Sequence, residues 1–148
     1  LEALKNAPEA FGSDFESESE RPESFWEERA TPTDTGAMFV AEDAEGGFLG
    51  LAGVFTDGRK KTGHGGSLVS VYVRPEARGR GVGDGLIHGC LGWARERGLA
   101  RVRLAVVTTN APAIALYLRC GFSVYGVEPD VIRYDGKSYD ELLMSALV

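Results

Sequence analysis

Apolar and polar positions alternate between two registers along this chain, and the changes of register mark its elements. Near the start, Leu1, Leu4, Ala7 and Phe11 fall near one face of a helix spanning about Leu1–Phe11. Pro22 stands in the first turn of a second predicted helix, about Pro22–Ala30, with Phe25 and Trp26 as its packing residues. Two strand-like runs follow, about Ala37–Glu42 and Gly47–Phe55, joined by a turn over Asp43–Gly46. A polar, glycine-rich loop, Asp57–Gly66, leads into the well-buried strand Ser67–Val73, which Arg74-Pro75 ends.

Helical spacing returns at Val82, Leu86, Cys90 and Trp93, with Ile87, Leu91 and Ala94 beside them, and the helix ends near Gly98. Arg101–Val107 reads as a strand. Asn110 is placed to cap a helix from about Ala111 to Arg119, with Pro112 in its first turn. Phe122–Val127 and about Tyr139–Val148 close the chain as antiparallel strands, with Asp135-Gly136 marking a turn between them. The order α-α-β-β-β-α-β-α-β-β predicts an α/β protein.

Composition narrows the class. A chain of 148 residues, 43% apolar and 26% charged, fits one soluble domain over residues 1–148. A net charge of −6 argues against a nucleic-acid partner. The acidic stretch from Asp14 to Glu28 reads as a solvated helix face and loop, with an acidic lip for a cationic substrate as the alternative. Cys90 and Cys120 match no metal spacing, so no metal site is expected and both are read as reduced packing residues. No apolar stretch approaches membrane-spanning length and no signal-peptide pattern is visible, so the expectation is a cytoplasmic protein with no membrane partner.

The chemistry concentrates in Arg78-Gly-Arg-Gly-Val-Gly83, between a strand and a helix. Glycines let backbone N–H groups approach a ligand closely, and the following helix points its unpaired donors and positive dipole end into the same turn. With two arginines alongside, this is a receptor for phosphate or pyrophosphate. A dinucleotide fingerprint does not fit: the position three after Gly81 is Asp84, and the turn lies mid-chain after a hairpin. Nor does a P-loop, because no lysine follows these glycines.

What does fit is Arg/Gln-x-x-Gly-x-Gly/Ala, carried by Arg78, Gly81 and Gly83, and here the chain resembles the GCN5-related N-acetyltransferase (GNAT) superfamily. Val69-Ser-Val-Tyr-Val73 followed by Arg-Pro resembles that family's fourth strand. Asn110-x-x-Ala113-x-x-Leu116-Tyr117-x-x-x-Gly121-Phe122 is similar to its second cofactor motif, and Ala7-Pro-Glu-Ala-Phe-Gly12 to its first helical segment. The resemblance implies the GNAT fold: a mixed, mostly antiparallel central sheet flanked by helices, with a splayed parallel fourth and fifth strand. The family's first strand is the part expected to be missing before Leu1.

The resemblance also implies acetyl-CoA as cosubstrate. Its pantetheine arm would pair with backbone at Val71, Tyr72 and Val73. Its pyrophosphate would rest on Gly79, Arg80, Gly81, Val82, Gly83 and Asp84, with Arg78 and Arg80 supplying charge, and Asn110 would reach the pantetheine side. A backbone N–H near Val71–Tyr72 would stabilise the oxyanion, and Tyr117 would protonate the departing thiolate. Relatives often carry a glutamate base on the fourth or fifth strand, where this chain has Ser67 and Ala105. Substitutes are His64, Glu42, Asp130 or a water chain, while His88 is read as structural. The resemblance places the acceptor pocket among the first two helices, the Asp57–Gly66 loop and the Val127–Tyr139 connection. The expected activity is acetyl transfer to a primary amine of a small molecule or a protein, by direct attack in a ternary complex. The alternative is an acyl-CoA sensor with little catalysis. Homodimers are common among similar proteins and are allowed here.

Overall fold

Alternating apolar residues assemble a six-stranded sheet in the order β1-β2-β3-β4-β6-β5 in the computed structural model, which describes residues 1–148. Its strands are β1 (Gly36–Glu42), β2 (Phe48–Thr56), β3 (Gly65–Val73), β4 (Arg101–Val107), β5 (Ser123–Tyr134) and β6 (Lys137–Leu147). All neighbours run antiparallel except β3 and β4. That parallel pair is joined by helix α4 (Val82–Glu96), and helix α5 (Ala111–Arg119) follows β4. The expected mixed sheet with one parallel pair is present.

The core lies between the sheet and these two helices. α4 lies chiefly over β2 and β1. Its Leu86, Ile87, Cys90, Leu91 and Ala94 share one buried cluster with Ala52 and Val54 of β2, Leu68 of β3, Val102, Leu104 and Val106 of β4 and Met144 of β6. Burial on this scale contributes roughly 1.5–3 kcal/mol per large side chain. Burial also pushes the Cys90 thiol up to about 12, and both cysteines are free and buried. No helix is long and apolar enough to cross a membrane.

Three stretches differ from the sequence expectation. The first helix stops early: α1 covers Glu2–Asn6, and a separate 3₁₀ turn covers Pro8–Ala10. Pro8 lacks the N–H needed to continue α1 and starts the new turn instead. A short helix, α2 (Phe15–Ser19), lies in the acidic stretch, where Asp14 Oδ1 accepts from the Ser17 N–H at 2.8 Å. Helix α3 (Glu23–Ala30) follows as expected, with Phe25 and Trp26 half-buried and packed edge to face at 5.1 Å.

The third difference is at the C-terminus. The expected 127–139 connection is strand nearly throughout, and its only turn is Asp135-Gly136, with φ of 48° and 70°. Two left-handed residues suit a tight hairpin that matches strand twist. Asp130, at φ 54°, sits in a break of the β5–β6 register and is held by Arg133 and Ser138.

Candidate active site

The parallel pairing of β3 and β4 has three rungs: Gly65 with Arg101, Gly66 with Val102, and Ser67 with Arg103. Beyond Ser67 the strands separate. The local cause is a bulge in β3, where the Leu51–Tyr72 and Gly53–Val69 pairs leave Ala52 facing both Ser70 and Val71. Ser70 takes φ of 53°, in the left-handed region that a side chain disfavours by about 1 kcal/mol or more. The result is a cleft of about 780 Å³ between β3 and β4, roofed by the starts of α4 and α5.

One wall of this cleft is bare strand edge. The Arg74 N–H donates to Leu49 of β2 at 2.9 Å, so alternation along β3 turns the Val73 peptide groups the other way, into the gap. Val71, Tyr72 and Val73 all line the cleft. Arg78 Nε donates to the Val73 carbonyl at 3.1 Å, which fixes the guanidinium at the end of that edge.

The glycine turn forms the far end. Gly79 and Gly81 adopt φ of 72° and 80°, and Gly81 is the N-cap of α4. No side chain caps this helix, and its first internal bond runs from the Gly85 N–H to the Gly81 carbonyl at 3.0 Å. The N–H groups of Val82, Gly83 and Asp84 therefore precede the helical ladder, free for an anion. At Gly83 the two helices approach closely: a Cβ there would lie 2.9 Å from Cδ2 of Leu116 on α5, so that side chain would have to shift. Gly79, Gly81, Val82, Gly83, Asp84 and Arg78 line the cleft; Arg80 is exposed and is not part of its wall.

Helix α5 supplies the opposite side. Asn110 lines the cleft and also caps its helix, with Oδ1 accepting from the Ala113 N–H at 3.3 Å. Its amide nitrogen stays unpaired. Arg119 spans to α4, where its Nη2 meets Asp84 Oδ2 at 3.1 Å, and this hydrogen bond holds the Asp84 carboxyl below its usual range. Tyr117 is buried, at 7% exposure, with its ring edge-on to Phe122 at 6.0 Å. Every sealed side-chain oxygen or nitrogen has a hydrogen-bond partner, whereas the Tyr117 hydroxyl has none; the hydroxyl therefore reaches the open cleft it lines. Burial, and secondarily Cys120, pushes its pKa up to about 12, so the group stays a proton donor across the physiological range.

The substitutes expected for a missing base are elsewhere. His64 precedes the paired end of β3, roughly 23 Å along the strand from Val71 at ordinary strand rise. Glu42 is exposed at the end of the outermost strand β1, and Asp130 is engaged by Arg133 and Ser138 on β5. None lines the cleft, and neither do the Asp57–Gly66 loop or the 127–139 segment. Of the two family base positions, Ala105 lines the cleft while Ser67 sits at the last parallel rung. His88 is on α4, its Nδ1 2.7 Å from the Asp84 carbonyl.

Instead, the N-terminal segment forms the front of the cleft. The Tyr72 hydroxyl donates to Glu2 Oε1 and accepts from Asn6 Nδ2, each at 2.9 Å, and Arg74 Nη2 pairs with Glu2 Oε2 at 2.8 Å. These bonds tie α1 to β3. The Pro8–Ala10 turn then packs against β4 and β5, so the segment bridges the two splayed strands. Asn6, Ala7, Glu9, Ala10 and Phe11 all line the cleft. Sequence reasoning missed Glu9, and the Ala7–Gly12 stretch was its available signal. It also missed a carboxylate pair one strand beyond the wall: Glu141 is the register partner of both Val107 and Glu128. Burial, and then Glu128, raises the Glu141 pKa.

A bare strand edge, an uncapped helix start and a tyrosine hydroxyl thus share one V-shaped cleft. The sequence profile of the Acetyltransferase (GNAT) family matches residues 2–122, and the chain belongs to this family. It is 37% identical over 108 residues to an L-methionine sulfoximine/L-methionine sulfone acetyltransferase of Pseudomonas aeruginosa. That match covers 72% of this chain and 62% of the relative's length. Among solved structures, a GCN5-related N-acetyltransferase from Kribbella flavida superposes with a TM-score of 0.81 at 28% identity, covering 98% of this chain and 86% of that one. A ribosomal-protein-alanine N-acetyltransferase from Brucella melitensis gives 0.78 at 28% identity, over 99% and 88%.

Proposed function

We propose that this protein transfers the acetyl group of acetyl-CoA to a primary amine by direct attack, and that the acceptor is a small molecule. The observation that carries this is the Tyr117 hydroxyl, unpartnered and held protonated, in the same cleft as the free N–H groups of α4. The cleft fits the cosubstrate on its own geometry. Val82 to Asp84 offer donors to a pyrophosphate, Arg78 adds charge, and the Val71–Val73 edge can pair with amides as an added strand would.

The chain's residues then divide the work. A backbone N–H at the Val71–Tyr72 edge stabilises the developing oxyanion, and Tyr117 gives its proton to the leaving thiolate. The small-molecule acceptor is supported by the Pseudomonas aeruginosa relative. A protein acceptor is the rival, supported by the likeness to the Brucella melitensis enzyme.

Ala105, where a relative's base would stand, favours a second reading, an acyl-CoA sensor with little catalysis. Measuring thiol release with acetyl-CoA and an amine panel separates the two. Amine-dependent release supports the transferase. A rise in melting temperature with acetyl-CoA but no release for any amine supports the sensor, and no rise removes both. Free, buried cysteines accord with a cytoplasmic location. The exposed apolar side chains of edge strand β5, Tyr125 and Val127 among them, accord with a homodimer.

A further inference from the structure

We propose that Glu9 receives the acceptor's ammonium group, and that the acceptor is a cationic amine with no carboxylate beside it. The inference rests on the acetyltransferase reading and names the residue that faces its second substrate. Two carboxylates line the cleft, Glu9 and Asp84. Asp84 is neutralised by Arg119, through contacts of 3.1 and 3.3 Å. Glu9 is half-buried and has neither a hydrogen bond nor an ion pair within the protein.

Its position follows from the fold. α1 is tied to β3 through Tyr72 and Arg74, while the turn holding Glu9 packs against β4 and β5. Glu9 thus stands on the segment that crosses the gap, away from the glycine turn that meets the pyrophosphate. Ala105 on β4 leaves room where the family's usual base would project. An amine entering over this segment meets one uncompensated negative charge, and Glu128 and Glu141 add to the negative potential beside Val107.

The same inventory sets the substrate class. Arg78 and Arg119 are the only basic residues lining the cleft; one faces the phosphate turn and the other is paired with Asp84. No cation is left to hold an acceptor carboxylate. A diamine or aminosugar fits this wall, and a zwitterionic amino acid does not.

The proton count closes. One ammonium proton passes to Glu9, freeing the nitrogen lone pair to form the C–N bond as the C–S bond breaks. The thiolate takes the Tyr117 proton, and a second nitrogen proton replaces it on Tyr117. The third stays on the amide, and Glu9 returns its proton to solvent.

The test compares the wild type with Glu9→Gln and Glu9→Asp. Three probes are used: putrescine, the neutral O-methylhydroxylamine, and zwitterionic L-methionine sulfone. Binding is read by calorimetry in the presence of CoA, and turnover by thiol release. An alkylamine has a free pKa near 10.4, so putrescine is cationic at neutral pH. Expected for Glu9→Gln is a loss of ten-fold or more in putrescine binding and a matching rise in its KM, with partial recovery in Glu9→Asp. The acetyl-CoA KM stays unchanged, and any thiol release with O-methylhydroxylamine, which brings no charge to Glu9, falls far less than that with putrescine. Equal loss for the neutral amine, unchanged putrescine binding, or tighter wild-type binding of L-methionine sulfone than of putrescine would each overturn the proposal. Putrescine binding that depends on Glu9 without any thiol release would support the site while removing the transferase reading.

Discussion

Ser67 and Arg103 are the last paired residues of β3 and β4, and every group assigned to the cosubstrate lies beyond them. The site begins where the sheet stops being continuous. Its donors are backbone groups that a complete ladder would have consumed, so the chain gives up strand pairing to gain a ligand edge.

Tyr117→Phe removes one hydroxyl from a buried ring that has no hydrogen bond within the protein. Turnover is expected to fall by about 10²–10⁴-fold, the usual worth of a positioned general acid. Acetyl-CoA affinity should change little, and calorimetry beside single-turnover kinetics measures both. Because burial raises this pKa to about 12, wild-type turnover should show no Tyr117 ionisation below pH 10. An alkaline limb near pH 8 that vanishes in the variant would contradict the assigned state.

Gly83→Val tests the approach of α4 to α5. A Cβ at this position meets Leu116 Cδ2 at 2.9 Å, so the larger side chain is expected to cost about 1–3 kcal/mol in urea unfolding. Adding Leu116→Ala should return part of the loss, since the two residues share one space. Fully additive losses would show that the helices are not in contact there.

Glu141→Gln addresses the facing carboxylates of β5 and β6. The Glu141 pKa is raised in the folded protein, by burial first and by Glu128 second. A raised value means that the associated stability is present below the ordinary carboxylate range and lost as pH rises through the folded value. The variant should therefore be more stable than wild type at neutral pH, with the gap closing in acid. Urea midpoints between pH 4 and 8 give the sign directly.

Edge strand β5 leaves Tyr125 and Val127 more than half exposed, at 56% and 57%. Self-association is expected to bury this face, and Val127→Lys to weaken it. Light scattering over a range of concentrations reads the change. A wild type that remains monomeric at high concentration would leave the dimer without support.

Much of this arrangement was legible because local chemistry and fold agree. β4, at Arg101–Val107, and α5, at Ala111–Arg119, lie where apolar spacing and the Asn110 cap predicted them. The cleft's far wall follows from Gly79 and Gly81, whose left-handed backbone only glycine adopts freely. What local pattern did not disclose depends on tertiary context. Ser70 carries a strained φ that its residue type does not advertise, and the bulge exists because β2 and β3 enforce it. Glu9 stands in the sequence only as part of the Ala7–Gly12 helical stretch, and it is the α1 contacts with Tyr72 and Arg74 that place its segment over the gap. For residues 127–139 the sequence marks only the Asp135-Gly136 turn, whereas pairing with β6 carries β5 on to Tyr134.

The way α1 is moored has an evolutionary corollary. Glu2, Asn6, Tyr72 and Arg74 fasten the front wall with a few exposed or partly buried polar bonds, while the cosubstrate's wall is built from the core helices and the sheet. On the acetyltransferase reading proposed above, substitutions in the first eleven residues reshape the acceptor's entrance without disturbing the donor's seat. Descendants of one such gene would then change the molecule they modify while keeping the same acetyl source.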